Sequence, residues 1–302
     1  METWPELVFG EWKDTRDTLH MWTQMVGKVK LELCPFLNQW WEIALHLNAR
    51  GLTTGLIPWH GESFEIHFDF IDHRLVILMS DGRTQEITLE PRTVADFYHL
   101  FMNTLKSLGI EVAISTMPAE LPNPTPFDQD TTHASYDKAA VHNWWRIMLA
   151  SARVMEKFRT PFHGKSSPVN FFWGGFDLNE SRFNGKPATP PSYGGRIMKY
   201  GENEENFAIG FWAGTEQFPH AAFYTYMTPA PDKITEVHIQ PEAAHFDTNM
   251  GEFILLYDDL RRASSPEEAL LTFFQSTYEV SASLAGWDRA VLEGNVPNLA
   301  KA

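Results

Sequence analysis

Hydrophobic positions along this chain switch between two periods, and the switches outline an α+β protein. Apolar residues recur with helical spacing over 15–29, and again over 138–159, where Val141, Trp144, Trp145, Met148 and Leu149 make one stripe. Elsewhere short runs rich in aromatic and β-branched residues alternate with period two. They predict strands near 41–48, 63–70, 73–79 and 85–90, then near 169–178, 206–213, 220–228 and 252–257. Asp81-Gly82 reads as a turn. Closing helices are expected over 94–108, opened by Thr93-x-x-Asp96, and over 266–284, opened by Ser265-x-x-Glu268. Strands that follow one another without helices between them pair antiparallel, since parallel pairing needs long crossovers. The helices then cover one face.

The same order occurs twice, with matching motifs. Gly27-Lys28, Pro35, Asn38-Gln39-Trp40-Trp41 and Arg50 run parallel to Gly164-Lys165, Pro168, Asn170-Phe171-Phe172-Trp173 and Arg182. In both, the Arg stands nine positions after the last Trp of the run, Trp41 or Trp173. Downstream, Phe64–Phe68 matches Phe207–Phe211, His73–Met79 matches His220–Met227, and Phe97 to Gly109 resembles Phe273 to Gly286. The expected architecture is therefore two diverged repeats, each with a helix, about four antiparallel strands and a closing helix, packed about a pseudo-two-fold. The first spans 1–116 and the second 138–302, with a linker at 117–137. Pro118, Pro122, Pro124 and Pro126 make that linker extended. The second repeat carries a Gly- and Pro-rich loop at 184–206 without a counterpart in the first, and long loops of this kind are often lids.

Composition narrows the function class. The chain has 302 residues, 43% of them hydrophobic, enough for a large core. A net charge of −15 argues against nucleic acid or an anionic membrane as partner, because both need a basic footprint. One cysteine, Cys34, excludes an intrachain disulfide and any multi-cysteine zinc site, and its apolar setting suits an inert thiol. The first residues lack the basic and apolar regions of a signal peptide, and no apolar run reaches transmembrane length. A cytoplasmic protein is expected.

Several motifs together carry a resemblance: Thr18–Gln24, Arg50–Thr54, Phe68-Asp-Phe with His73-Arg74, His133–Asp137, Gly164–Pro168, Phe172-Trp-Gly174 and Gly210-Phe-Trp212. With these the chain resembles a family of uncharacterised bacterial proteins catalogued as a domain of unknown function. The likeness covers nearly the whole chain and implies a shared architecture without a known activity. It also implies that relatives carry a His at the Asn170 position and a His-Glu pair near Glu204-Glu205. This chain would then lack two imidazoles, which weakens a metal reading.

The duplicated polar and aromatic positions are the candidate ligand contacts: Lys28, Asn38, Trp41 and Arg50, with Lys165, Asn170, Trp173 and Arg182. Paired cations converging at a pseudo-two-fold would hold a small organic anion, Arg by its planar fork and Lys as a point charge. The competing expectation is that each cation pairs locally, Arg182 with Asp177 or Glu180 for instance. Gly164-Lys165-Ser166 resembles a phosphate loop only superficially, because the preceding glycine pattern is missing. His133, Tyr136 and Asp177 are the candidate catalytic groups, His133 and Tyr136 from a segment dense in titratable side chains. That segment reads equally as a helix start, with Asp137 as the cap. His20, between Leu19 and Met21, suits a buried hydrogen-bonded histidine. No G-x-S-x-G elbow and no G-x-G-x-x-G fingerprint is present.

In the adjacent aromatic pairs Trp40-Trp41 and Phe172-Trp173, strand alternation would turn one member outward, where it needs a ligand, the long loop or a partner subunit as cover. The leading expectation is an aromatic-walled pocket between the repeats for a small anion, with enzyme activity and cofactor left open. The alternatives are a non-catalytic homodimer burying those aromatics, or a metal-dependent enzyme drawing on Asp130, His133, His20, His73 or Asp177.

Overall fold

In the computed structural model the described residues are 4–294; residues 1–3 and 295–302, the outer ends of the two expected repeats, lie outside them. The first half runs helix α1 (Phe9–Leu33), a 3-10 segment (Asn38–Ile43), strands β1 (His46–Leu47), β2 (Gly51–Thr53), β3 (Ile57–Trp59), β4 (Glu62–Asp69), β5 (Arg74–Met79) and β6 (Thr84–Thr88), then helix α2 (Val94–Ser107). The second half runs α3 (Lys138–Arg159), β7 (Asn170–Phe172), β8 (Asp177–Pro187), α4 (Gly195–Gly201), β9 (Glu204–Trp212), β10 (Ala222–Thr228), β11 (His245–Asp247), β12 (Glu252–Leu256), α5 (Tyr257–Arg261), α6 (Pro266–Leu284) and α7 (Arg289–Leu292). The result is an α+β fold with two antiparallel sheets. One has the order β1-β2-β4-β5-β6 with β3 also on β4, the other the order β11-β12-β10-β9-β8-β7. The sheets meet at Leu45 and Phe171, whose backbones exchange hydrogen bonds of 2.9 and 2.8 Å.

Where hydrophobic period and cap chemistry agree, the elements form as the sequence dictates. Thr93 accepts the Asp96 backbone N–H at 3.0 Å and starts α2. Asp137 accepts the N–H groups of Ala139 and Ala140 and starts α3. Gly82, at φ +93°, closes the β5–β6 hairpin. Opposed apolar pairs such as Ile66 with Ile77 and Phe223 with Phe211 set the register, and one continuous apolar core runs through both halves.

Helix α1 departs from an ordinary amphipathic helix. Every residue from Thr18 to Lys30 is buried, polar ones included. A helix buried all round lies inside the protein rather than on it. Trp22 stacks on Phe97 at 4.3 Å and on Tyr136 at 5.4 Å. Polar side chains on this helix reach backbone partners elsewhere. His20 Nε2 lies 2.9 Å from the carbonyl oxygens of both Trp173 and Gly174. Gln24 exchanges hydrogen bonds with the Ala119 backbone, 2.7 Å and 3.0 Å long. Burial pushes the His20 ring down to about 3, so it stays neutral and donates from Nε2.

Three expected segments are corrected. Residues 38–43 are not strand: Gln39 and Trp40 have φ of 54° and 59°, so Trp40 and Trp41 do not alternate across a sheet. The expected strand 169–178 breaks into β7 and β8 around Trp173-Gly174-Gly175-Phe176. A side chain at Gly174 would collide with the Glu120 carboxyl, 1.9 Å from an ideal Cβ. Finally, 184–206 is largely ordered by β8, α4 and β9, leaving 188–194 as its irregular part. Among the described residues no helix is long and apolar enough to cross a membrane.

Strand β8 turns Leu178, Glu180 and Arg182 toward α3 and α6. Arg182 is 1% exposed, its guanidinium 3.4 Å from the Phe158 ring centre and 4.4 Å from that of Tyr278, and it donates to the Phe158 carbonyl. Glu180 beside it has neither carboxyl oxygen hydrogen-bonded among the described residues. Burial pushes its carboxyl up to about 8, against the pull of Arg182. An acid whose folded-state pKa is raised supports the fold below its unfolded value, near 4.5, and loses that support as pH rises through 8. Glu180→Gln is therefore expected to match the parent below about pH 4 and to exceed it by several kcal/mol at pH 8.5, the difference growing between the two pKa values. Urea unfolding of both proteins at the two pH values checks this; equal stability at pH 8.5 would contradict it.

Candidate functional site

The outward face of the second sheet forms the floor of a cavity of about 600 Å³. On β8 this face carries Asp177, Asn179, Ser181 and Phe183, alternating with the inward Leu178, Glu180 and Arg182. Register places Asn179 opposite Gly210 on β9, and Gly210 opposite Tyr224 on β10. A Cβ at Gly210 would stand 2.0 Å from the Tyr224 ring. The missing side chain lets the phenol lie across β9 and reach β8. There Tyr224 donates to Asp177, while its oxygen accepts from Asn179 Nδ2 at 3.2 Å. Ser181 donates to Asn179 Oδ1 at 3.1 Å, completing a one-way chain of donors that ends on the Asp177 carboxyl.

Removal from water pushes Asp177 up to about 7; nearby Glu120 adds to the rise and the Tyr224 hydrogen bond opposes it. Glu202 accepts from Tyr226 at 3.0 Å and from Asn206 at 2.7 Å. A second hollow of about 360 Å³ adjoins the first across Met198, Glu202 and Tyr226. Its wall includes Glu252, pushed up to about 7 by burial and by Asp177.

The remaining walls come from five segments. Helix α1 contributes Lys28, Leu31 and Glu32, and the linker contributes Ala119 and Glu120. Trp173 lies flat against Gly27, where a Cβ would be 2.1 Å from the indole, and donates to the Ile43 carbonyl at 3.0 Å. Trp40 and Trp41 line the opposite side, and α4 closes over them with Ile197 and Met198. Trp40 Nε1 donates to the Ile197 carbonyl at 3.0 Å, and Trp40, Phe36 and Tyr200 make mutual edge-on contacts. The long segment thus supplies the cover that Trp40 needs.

The structure brings together Lys28, Trp41, Trp173 and Asp177 among the expected site residues. The others stand elsewhere. Arg50, 2.7 Å from Asp69 and 2.6 Å from Asp72, belongs to an exposed ion-pair cluster, and Arg182 is sealed in its aromatic cage. The local carboxylates satisfy Arg50, and burial on the inner face of β8 removes Arg182, so these cations do not line the cavity. Lys165 pairs with Glu204 and donates to Gln39 at 2.9 Å, and Asn38 donates to Gln39 at 2.6 Å. Asn170 is fully buried, and both its side-chain polar atoms lack a hydrogen-bond partner among the described residues. His133 pairs with Asp130 at 2.7 Å, and Tyr136 lies 3.1 Å from His73 Nδ1, both outside the cavity wall. Among the described residues no group of three or more His, Cys, Asp or Glu side chains could hold a metal ion. Cys34 is half-buried, with its thiol pushed up by burial.

Sequence reasoning missed Tyr224, Tyr226, Asn179, Glu120 and Glu202. The usable signal was Gly210, alone inside an apolar strand and so a mark of close approach, with Tyr224-x-Tyr226 aligned beside it.

The chain matches, over residues 4–294, the family described as "Family of unknown function (DUF5996)", and it belongs to that family. No curated protein and no solved structure matches it.

Tyr224→Phe removes the hydrogen bond that opposes the rise of Asp177, so its midpoint should move above 7. Carbon-13 NMR titration of the Asp carboxyls reads this directly, and a downward movement would contradict the donor chain.

Proposed function

We propose that this member of the family is an enzyme acting on a small uncharged or cationic molecule, with Asp177 moving a proton on it. The observation that carries the reading is Asp177 itself. Its carboxyl lines the cavity, receives the Tyr224 hydroxyl across Gly210, and titrates near neutrality. A proton-transfer group works best with a pKa near the working pH. Three further carboxyls, Glu32, Glu120 and Glu202, share the wall with one buried lysine and the exposed Arg196. Such a wall disfavours an anion and favours hydroxyl or amino groups. Trp40, Trp41, Phe172 and Trp173 offer flat apolar faces for the rest of the ligand. The anionic ligand expected from convergent arginines loses the residues that suggested it.

The duplication is part of the same reading. Each half has a leading helix, a sheet ordered β1-β2-β4-β5-β6 or β7-β8-β9-β10-β12, and a closing helix, which supports descent from one fused module. Comparison across family members tests it, since paired motifs should recur in pairs.

Thermal unfolding tests the ligand class. Glucose, glucosamine, dihydroxyacetone and spermidine would be set against citrate, malate, pyruvate and inorganic phosphate. At least one of the first four is expected to raise Tm, a bound ligand at a hundredfold excess over its Kd contributing about 2.7 kcal/mol. Asp177→Asn should lose that gain. Stabilisation by the acids alone, or an unchanged gain in Asp177→Asn, would overturn the reading.

A further inference from the structure

We infer that Lys28 is a nucleophilic amine that condenses with the carbonyl group of an aldehyde or ketone held in the cavity. The inference rests on the cavity reading above and adds the substrate's functional group to it.

Three lysines near this region have different fates. Lys30, 4% exposed on the same helix, donates to the Ala44 carbonyl at 2.6 Å and so ties down the chain after α1. Lys165 is held by Glu204 and Gln39. Lys28 is 6% exposed, lines the cavity, and has neither a hydrogen bond nor an ion pair among the described residues. Its neighbours are the rings of Phe127 and Trp173, each 5.9 Å from Nζ. The Nζ atom itself is not sealed from solvent, so the amine opens to the cavity, where a carbonyl compound can reach it.

Burial lowers the affinity of Lys28 for its proton, and Glu32 only partly opposes this. The sign enlarges the neutral fraction of the amine, the form that attacks a carbonyl. The step balances within the residues present. The Lys28 nitrogen adds to the carbonyl carbon, and one amine proton passes to the oxygen, giving a carbinolamine. Asp177, in its protonated form, gives a proton to the departing hydroxyl, which leaves as water. The nitrogen loses its second proton back to Asp177, and a C=N bond remains. A carboxyl with a midpoint near 7 can serve in both directions. A neutral hydroxy-aldehyde or hydroxy-ketone suits the site, its carbonyl between Lys28 and Asp177 and its hydroxyls against Glu32, Glu120 and Glu202.

The full chain incubated at pH 7 with glycolaldehyde and then sodium borohydride tests this by peptide mapping. Lys28 should carry a hydroxyethyl group at an occupancy several-fold above that of the other lysines. Asp177→Asn should slow labelling at Lys28 by roughly tenfold or more without moving it to another site. Lys28→Arg, with Lys28→Met as a second variant, should lose the adduct at that position while keeping the parent's circular dichroism. Uniform labelling of all lysines would overturn the inference. Unmodified Lys28 alongside Asp177-dependent stabilisation by ligand would sink the amine and leave the cavity reading standing. Loss of both would sink both.

Discussion

The constraint on which the rest depends is the burial of α1 on all sides. Thr18 to Lys30 lie inside the protein, so polar side chains there must find partners within it. His20 and Gln24 find them in backbone carbonyls and an amide that belong to other segments: Trp173 and Gly174 in the β7–β8 turn, Ala119 in the linker. These bonds fix, relative to α1, the two segments that wall the cavity. Gly27 lets the indole of Trp173 close directly on the helix, leaving Lys28, Leu31 and Glu32 as the facing wall. The helix holds the two halves together and shapes the site with the same residues.

Strand β8 then separates two chemistries by alternation alone. Its inward residues, Glu180 and Arg182, sit among Phe158, Phe162 and Tyr278 and belong to the core. Its outward residues, Asp177, Asn179 and Ser181, belong to the cavity floor. A one-residue slip would exchange the sets. The register is held by the pairing with β9 from Asp177–Trp212 to Phe183–Asn206, so Gly210 always opposes Asn179. Tyr224 can therefore cross at only one level, and the donor chain to Asp177 is a consequence of strand register.

Much of the fold was legible in the sequence. Helices α2, α3 and α6 and strands β4, β5, β6, β9, β10 and β12 lie within a few residues of their expected ranges, because period and cap or turn signals agree there. Strands β2, β3 and β11 are three residues long, too short to show a period. The Asn38–Ile43 segment misled because adjacent tryptophans read as strand, whereas two left-handed residues turn them toward α4. For the site, Lys28, Trp41 and Trp173 were legible in a repeated motif, and Asp177 as a carboxylate just after an aromatic run. Arg50 and Arg182 were not separable from them, since no sequence spacing tells a cation bound by a neighbouring carboxylate from one free to meet a ligand.

Several buried groups weaken the fold where the cavity gains. Asp177 and Glu252 bind protons more tightly in the folded chain than unfolded, and Lys28 binds its proton less tightly. By linkage each of these opposes folding at neutral pH. Replacing them with apolar residues of similar size would ordinarily stabilise a core. Arg182 and Glu180 also sit in low dielectric, but there the guanidinium is enclosed by three rings and a carbonyl. Around the cavity the balance differs: Lys28 has no acceptor, and the Asp177 carboxyl accepts the Tyr224 hydroxyl while its own proton hovers near neutrality. Local disagreement with folding preference concentrates at functional sites. In this chain it concentrates on α1 and on the outward face of one sheet, which line the same space.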